Sequence, residues 1–212
     1  MNEKLTCEKL THSGDFELLQ EVSLKGMKQF VIEQILSQGN IIKVYSNYQI
    51  IMLLFQAFFA IRAFISFFNG MPDALIQIGY ALLFSFTVLI FIHELIHALT
   101  FLVLGIIRLR VGAIWRQFIF YVMTDHEVIT SKKTQIAALA PLVVIKLLCL
   151  VGAVIFWNTS LVYFFFSVMC IHSLFCAGDM ALLAFFNAHE DKEIYCFDDF
   201  KEGKSYFYYR KS

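Results

Sequence analysis

Residues 93–97 read His-Glu-Leu-Ile-His within a strongly apolar run. On an α-helix, side chains four positions apart lie about 40° apart on one face, so both imidazoles can reach one Zn²⁺. Glu94 lies beside them, where a carboxylate can take a proton from water that a metal activates. The spacing therefore predicts a zinc centre with His93 and His97 as ligands and Glu94 as general base.

The composition is typical of a polytopic membrane protein. Of the 212 residues, 59% are hydrophobic, 17% aromatic and 16% charged, whereas soluble domains average about 45–50% apolar and about 25% charged residues. A solvated polar helix face, the ordinary alternative for His-Glu-x-x-His, is disfavoured here because ionisable groups in an apolar helix need partners. The net charge of zero gives no indication of a nucleic-acid partner.

Four apolar segments are long enough to cross a bilayer, and they predict an all-α membrane protein built as a four-span helical bundle. The segments are residues 48–69, 74–107, 136–157 and 161–186. As one helix the second would be about 50 Å long, against a hydrocarbon core of about 30 Å. We therefore expect it to tilt or break, with Gly79 and Gly105 as candidate positions.

Polar segments flank and connect these spans. In the N-terminal segment, apolar residues within Phe16–Leu36 recur at helical spacing, which fits either an amphipathic helix on the membrane surface or an ordinary soluble helix. The connection 108–135 contains a stretch rich in β-branched and aromatic residues, 111–122, which predicts a short β-hairpin. The tail, 187–212, is polar and aromatic.

The basic residues predict how the chain is oriented. Fifteen of the 17 Lys and Arg residues fall, five each, in segments 1–47, 108–135 and 187–212, and the other two lie within spans. By the positive-inside rule these three segments are cytoplasmic. The predicted organisation is a cytoplasmic N-terminal segment, a membrane domain at 48–186 and a cytoplasmic tail, with both termini on the same side.

A third zinc ligand is predicted in the fourth span. A catalytic zinc centre takes three protein ligands and keeps one position open. The second and fourth spans run in the same direction, which brings His93, His97 and Asp179 to a similar depth. Asp179 is the only carboxylate in the fourth span, and a buried carboxylate needs a partner such as a metal. Its alternative is a structural ion pair with Arg62 or Lys146.

Other polar residues have several possible roles. His172 precedes Asp179 by seven residues, on nearly the same helix face. It is a candidate fourth ligand, oxyanion stabiliser or hydrogen-bond donor to Asp179, with a satisfied core histidine as an equal alternative. Cys176 lies near that face, although a zinc thiolate is not favoured. His126 and Glu127 are expected to be solvent-exposed, and the five cysteines are interpreted as buried thiols.

These motifs resemble two related groups of proteins. A membrane-embedded His-Glu-x-x-His followed by a later helix with Gly178-Asp179 is similar to the site-2 protease class of intramembrane zinc metalloproteases. The small size, the string His-Glu-Leu-Ile-His-Ala, Leu139-Ala140-Pro141 and Gly178-Asp179 more closely resemble the bacterial membrane family of putative zincin peptidases. This resemblance covers about residues 80–200.

The resemblance implies a function and a set of roles. His93, His97 and Asp179 would bind zinc, and Glu94 would be the catalytic base. The chain would be a zinc metallopeptidase of the bacterial plasma membrane, with membrane lipid and a membrane-associated peptide or protein substrate as partners. It departs from site-2 proteases in one respect, since their Asn-Pro substrate-gripping element is replaced by Ala140-Pro141 without a neighbouring asparagine.

Two other functions are compatible with the sequence. In a non-proteolytic membrane binding or immunity protein, zinc would fasten the second and fourth helices together, and His172 would complete a closed four-ligand site. A transport bundle is less favoured, because four spans without an internal repeat do not fit the usual transporter architecture. For the peptidase, the 111–122 stretch is a candidate edge strand that could hold a substrate segment extended.

Overall fold

The computed structural model describes residues 5–37, 39–114 and 119–211. Lys4 and Arg116, two of the basic residues used to predict the orientation, lie outside the described residues. Within the described part, the chain divides into two compact units. The sheet unit comprises Met1–Ile42, His97–Leu139 and Asp179–Ser212, and the helical unit comprises Lys43–Ile96 and Ala140–Gly178.

The described residues are mostly helical. The α-helices are α1 Cys7–His12, α2 Met27–Leu36, α3 Asn40–Phe68, α4 Asp73–Phe86, α5 Val88–Val103, α6 Ser131–Ile155, α7 Leu161–Phe175 and α8 Ala177–Ala188. Two of them, α3 and α6, are long and apolar enough to cross a membrane. The number rises to four if the bent pairs α4–α5 and α7–α8 each count as one span. A membrane protein with two to four spans is therefore supported.

The prediction of an all-α fold is corrected by two small antiparallel sheets. The strands are β1 Phe16–Ser23, β2 Leu109–Ile114, β3 Ile119–Thr124, β4 Ile129–Thr130, β5 Ile194–Asp199 and β6 Lys204–Arg210. One sheet has the order β1-β6-β5-β4, and β2 pairs with β3 in the other. The predicted hairpin at 111–122 is confirmed, since Val111 pairs with Val122 inside the β2–β3 ladder.

The prediction of one helical stretch over Phe16–Leu36 is wrong in its first half. Phe16–Ser23 is a strand, and only Met27–Leu36 is helical. The backbone of β1 pairs with β6 at the far end of the chain, with Phe16 opposite Arg210. The tail strand is rich in aromatic residues, which favour a pleated and half-buried surface. A partner so distant in sequence leaves no local periodicity to reveal it.

The long second apolar run breaks at Thr87 rather than at Gly79. The two helices α4 and α5 are bent by 48° at this residue, and the Thr87 Oγ1 donates to the Leu83 carbonyl at 2.6 Å. A threonine that bonds back one turn competes with the helix ladder and bends it. Gly105 instead terminates the run after α5, since its φ of +82° is in the left-handed region that favours glycine.

The core of the sheet unit brings part of α5 and part of α8 into one cluster. Phe101 of α5 and Phe185 of α8 are buried in this cluster with Phe30 of α2 and Phe207 of β6. The rings of Phe185 and Phe207 are 4.9 Å apart between centroids, and those of Phe30 and Phe185 are 5.7 Å apart. Phe101 lies one turn after His97, so this packing fixes that turn of α5 within the same unit as Asp179.

The helical unit has its own aromatic core. Phe59 of α3, Ile145 of α6 and Phe166 of α7 belong to its main cluster, and the Phe59 and Phe166 centroids are 4.7 Å apart. The two cations expected in the spans take different positions. Lys146 donates its Nζ to the Met169 carbonyl at 2.8 Å, whereas Arg62 is exposed, 5.9 Å from the centre of the Phe58 ring.

Asp198 gives the sheet unit a pH-dependent stability. Its carboxylate accepts hydrogen bonds from the Thr124 N–H at 2.7 Å and the Ser205 Oγ at 2.6 Å. Burial of the carboxyl group nevertheless raises its pKa, since these hydrogen bonds do not cancel the desolvation. The folded protein therefore holds this proton more tightly than the unfolded chain does. Stability from Asp198 is complete below the unfolded pKa of about 4 and is lost as the pH rises through the folded pKa.

We expect Asp198→Asn to flatten this dependence. The asparagine keeps an acceptor for Thr124 and cannot ionise. The Tm of the variant minus that of wild type should therefore increase as the pH rises from about 4 to about 8. Thermal unfolding of the detergent-solubilised protein at several pH values measures this. The exposed Asp191→Asn variant is the control. A Tm difference that does not change with pH would show that Asp198 ionises equally in both states.

Candidate metal centre

One helix carries the three residues of the His-Glu-x-x-His motif. His93, Glu94 and His97 all lie on α5, and their candidate ligand atoms are within 4.8 Å of one another. His93 is buried, with 7% of its surface exposed, and the other two are half-buried. The helical spacing thus presents two imidazoles and a carboxylate together, as the sequence predicts.

In the sheet unit, both ring nitrogens of His97 have defined neighbours. The Nδ1 atom lies 2.9 Å from the carbonyl oxygen of Ala137, and the Nε2 atom lies 3.2 Å from Oδ1 of Asp179. A carbonyl oxygen only accepts, so the Nδ1 of His97 carries the proton and donates it. In a neutral imidazole the Nε2 then presents a lone pair to a carboxylate oxygen, which also has only lone pairs.

This contact between two acceptors needs a positive species. Either a second ring proton or a shared cation resolves it. Two ligands about 2.0–2.2 Å from a tetrahedral zinc ion would be about 3.3–3.6 Å from each other, slightly more than the 3.2 Å between Nε2 and Oδ1. A histidine that binds zinc through one nitrogen also characteristically donates its other N–H to a backbone carbonyl or a carboxylate. The residues present therefore fit a metal ion.

In the helical unit, His93 contacts His172. The Nδ1 of His93 is 3.0 Å from the Nε2 of His172, and His172 is fully buried on α7. The Sγ of Cys176 is 3.8 Å from the Nδ1 of His172 and donates to the His172 carbonyl at 3.4 Å. If His93 donates its Nδ1–H to His172, its Nε2 is left with the lone pair that a metal requires.

A family comparison adds to this geometry. The sequence profile of a family described as "Putative zincin peptidase" matches residues 86–192, about half of the chain. The chain belongs to this family. The matched region runs from just before α5 to just after α8, so it includes every residue of the candidate centre. Neither curated proteins nor solved structures give a significant match.

Membership in the zincin peptidase family supports a metallopeptidase and implies zinc as its metal. Two imidazoles and a carboxylate near one another are the donor types that catalytic zinc sites use. Two of the donors expected from the sequence, His97 and Asp179, lie in the parts of α5 and α8 that belong to the sheet unit. The relation to site-2 proteases stays a prediction.

The contacts of Asp179 and His172 bear on the roles that the sequence leaves open for these two residues. Asp179 lies against His97, whereas Lys146 donates to the Met169 carbonyl and Arg62 is exposed. The sequence does not predict the contact of His172 with His93. Its prediction that His172 and Asp179 share one helix face is corrected, since the two residues lie on α7 and α8, which are bent by 47°.

Glu127 corrects a prediction about the connecting loop. It is buried, with 7% of its surface exposed, and its Oε2 accepts from the N–H groups of Ile107 and Arg108, both at 3.1 Å. These N–H groups follow the end of α5, where backbone donors need new partners, and a carboxylate satisfies two of them. His126 is exposed as expected. All five cysteines are free thiols, and four of them are buried.

Proposed function

We propose that this chain is a membrane-embedded zinc metallopeptidase that hydrolyses a peptide bond in a membrane-associated protein or peptide. The observation that carries the proposal is the pair formed by the His97 Nε2 and the Asp179 Oδ1, 3.2 Å apart, because two lone-pair atoms that face each other are suited to a shared cation. The helix that presents His97 also presents His93 and Glu94.

The proposed ligands are His93, His97 and Asp179. His93 and His97 lie four positions apart on the continuous helix α5, and the Asp179 Oδ1 lies 3.2 Å from the His97 Nε2. A bound Zn²⁺ would act as a Lewis acid on the scissile carbonyl and lower the pKa of water toward about 7. Three protein ligands leave a position for water and substrate, which distinguishes a catalytic from a structural zinc site.

Glu94 is the proposed general base. Its carboxylate is half-buried beside the two histidines, where it can accept a proton from the attacking water at Oε1 or Oε2. The same group can then deliver that proton to the leaving amine. Neither step needs a further acid, so the single carboxylate of the motif accounts for the proton transfers of amide hydrolysis.

His172 is the proposed positioning residue for His93. By accepting the Nδ1–H of His93 it would hold the ring in the tautomer whose Nε2 can bind a metal. The non-proteolytic alternative needs His172 as a fourth ligand that closes the site. The 3.0 Å separation of the two nitrogens is that of a hydrogen bond and favours the open site.

We expect His172→Ala to lower zinc affinity by about 10- to 100-fold and His172→Gln to retain most of it, since the glutamine Oε1 can accept the same hydrogen bond. Competition with a chromophoric chelator measures both. Cys176→Ser is the matched control and should bind zinc as wild type does. If Cys176→Ser loses zinc as strongly as His172→Ala, the closed and non-proteolytic site is favoured instead.

The sheet supports the proposed orientation of the chain. Strand β1 precedes α3, β4 lies between α5 and α6, and β5 follows α8, yet all three belong to one sheet. A sheet lies on one side of a membrane, so the chain must cross an even number of times between successive strands. If α3 and α6 each cross the membrane once, each of the bent pairs α4–α5 and α7–α8 must cross it back to the first side. We propose four spans with both termini on the basic, cytoplasmic side.

The outer edge of β2 is the proposed place for an extended substrate. The β2–β3 sheet has only two strands among the described residues, and Val111 of β2 is exposed. A peptide that adds to a strand edge is held by backbone hydrogen bonds in the extended conformation that hydrolysis requires. A helical substrate would have to unwind before its carbonyls became available.

The test of this function is cleavage of membrane proteins in cells. Membrane fractions from cells that express wild type or Glu94→Gln are compared by mass spectrometry of new peptide termini. Termini that appear in membrane-associated proteins only with wild type support the proposal and identify substrates. Identical termini in both strains, with the protein present at equal levels, contradict a peptidase function.

A further inference from the structure

The proline in α6 alters one specific backbone carbonyl. Pro141 lies inside the helix Ser131–Ile155 and is fully buried. In an α-helix the N–H of residue 141 would donate to the carbonyl of residue 137. Proline has no N–H, and its ring crowds the carbonyl four residues earlier and pushes it away from the helix axis. The Ala137 carbonyl is therefore released from the helix ladder.

That carbonyl is the one that His97 contacts. The Nδ1 of His97 lies 2.9 Å from the oxygen of Ala137, and Ala137 itself is 1% exposed. A buried carbonyl that loses its helix donor needs a replacement, since buried backbone groups are almost always hydrogen-bonded. The Nδ1–H of His97 supplies it. The carbonyl oxygen that lacks its helical donor and the oxygen that contacts His97 are therefore the same atom, that of Ala137.

We propose that Pro141 is a positioning residue for the metal centre and that it acts through the Ala137 carbonyl on His97. This inference rests on the proposed function, because it concerns how a zinc ligand is held. With the Ala137 oxygen available, the His97 proton stays on Nδ1 and the Nε2 lone pair points toward Asp179. An ordinary residue at position 141 would compete with His97 for the same oxygen.

The experiment restores the missing N–H and separates affinity from stability. Pro141→Ala and Pro141→Val both supply the donor, and valine also keeps a buried volume near that of proline. We expect zinc affinity to fall by about tenfold in both variants, at the lower end of the effect of losing such a support. The Tm of the zinc-free protein should stay the same or rise, because the helix gains a hydrogen bond.

The measurements are chelator competition for zinc affinity and thermal unfolding of the zinc-free protein in detergent. Pro72→Ala is the matched control, since the only other proline of the chain precedes α4 at an exposed position. It should leave zinc affinity unchanged.

Three outcomes would overturn the inference. Unchanged zinc affinity in both variants would show that the released carbonyl does not support His97. A parallel fall in zinc affinity and in the Tm of both variants would show that Pro141 acts on the fold alone. The absence of zinc binding by wild type would remove the proposed function together with this inference, whereas the first two outcomes leave the zinc centre itself intact.

Discussion

Glu94→Gln is expected to keep about one zinc ion per chain and to lower peptide hydrolysis by at least about 100-fold, because a general base contributes about 10²–10⁴-fold. Glutamine has nearly the same size and cannot take a proton from water. The carboxylate is not among the proposed ligands, so metal binding should survive its replacement. Separation of metal binding from hydrolysis in one variant is the signature of a base beside the metal.

The measurement combines zinc content with cleavage of a quenched-fluorescent peptide library by purified protein in detergent. Glu190→Gln is the matched control, since Glu190 is an exposed carboxylate whose Oε2 accepts a hydrogen bond from Asn187. It should retain full activity. Undiminished cleavage by Glu94→Gln would exclude Glu94 as the base, and loss of zinc from the same variant would move Glu94 into the ligand set.

The helical part of the fold and the α5 residues of the centre could be predicted because their signals are local. His93, Glu94 and His97 occupy one turn of a helix whose apolar character is visible in the sequence, so their proximity follows from helix geometry alone. The β2–β3 hairpin could be predicted for the same reason, since its partner strands are adjacent in sequence. The proximity of Asp179 to His97 required a topology, and that came from the distribution of basic residues.

What could not be predicted depends on contacts between distant segments or on backbone atoms. The strand Phe16–Ser23 pairs with the tail, and no feature near residue 16 reveals that partner. Glu127 is charged and lies in a loop, which indicates exposure, yet it caps N–H groups about 20 residues earlier. The role of Ala137 belongs to its carbonyl oxygen, so the side chain carries no signal. In the sequence, only Pro141, four residues later, indicates that this carbonyl lacks its helical donor.

His93→Ala and Asp179→Ala are each expected to abolish zinc binding, although the two residues lie on different helices. A three-ligand site that loses one donor keeps only two, which does not hold zinc through purification. The same result is expected for Asp179→Asn, which preserves the shape of the side chain and removes its charge. A His97–Asp179 ion pair without a metal would instead predict no zinc in wild type and no difference among the variants.

Elemental analysis of detergent-purified protein measures this directly, with about one zinc per chain expected for wild type. His189→Ala and Asp191→Ala are the matched controls. His189 also places its Nδ1 against a backbone carbonyl, that of Phe185 at 2.9 Å, and Asp191 is exposed, so neither should change the zinc content. Loss of zinc in His93→Ala with retention in Asp179→Asn would confine the metal to α5 and His172, and would remove Asp179 from the centre.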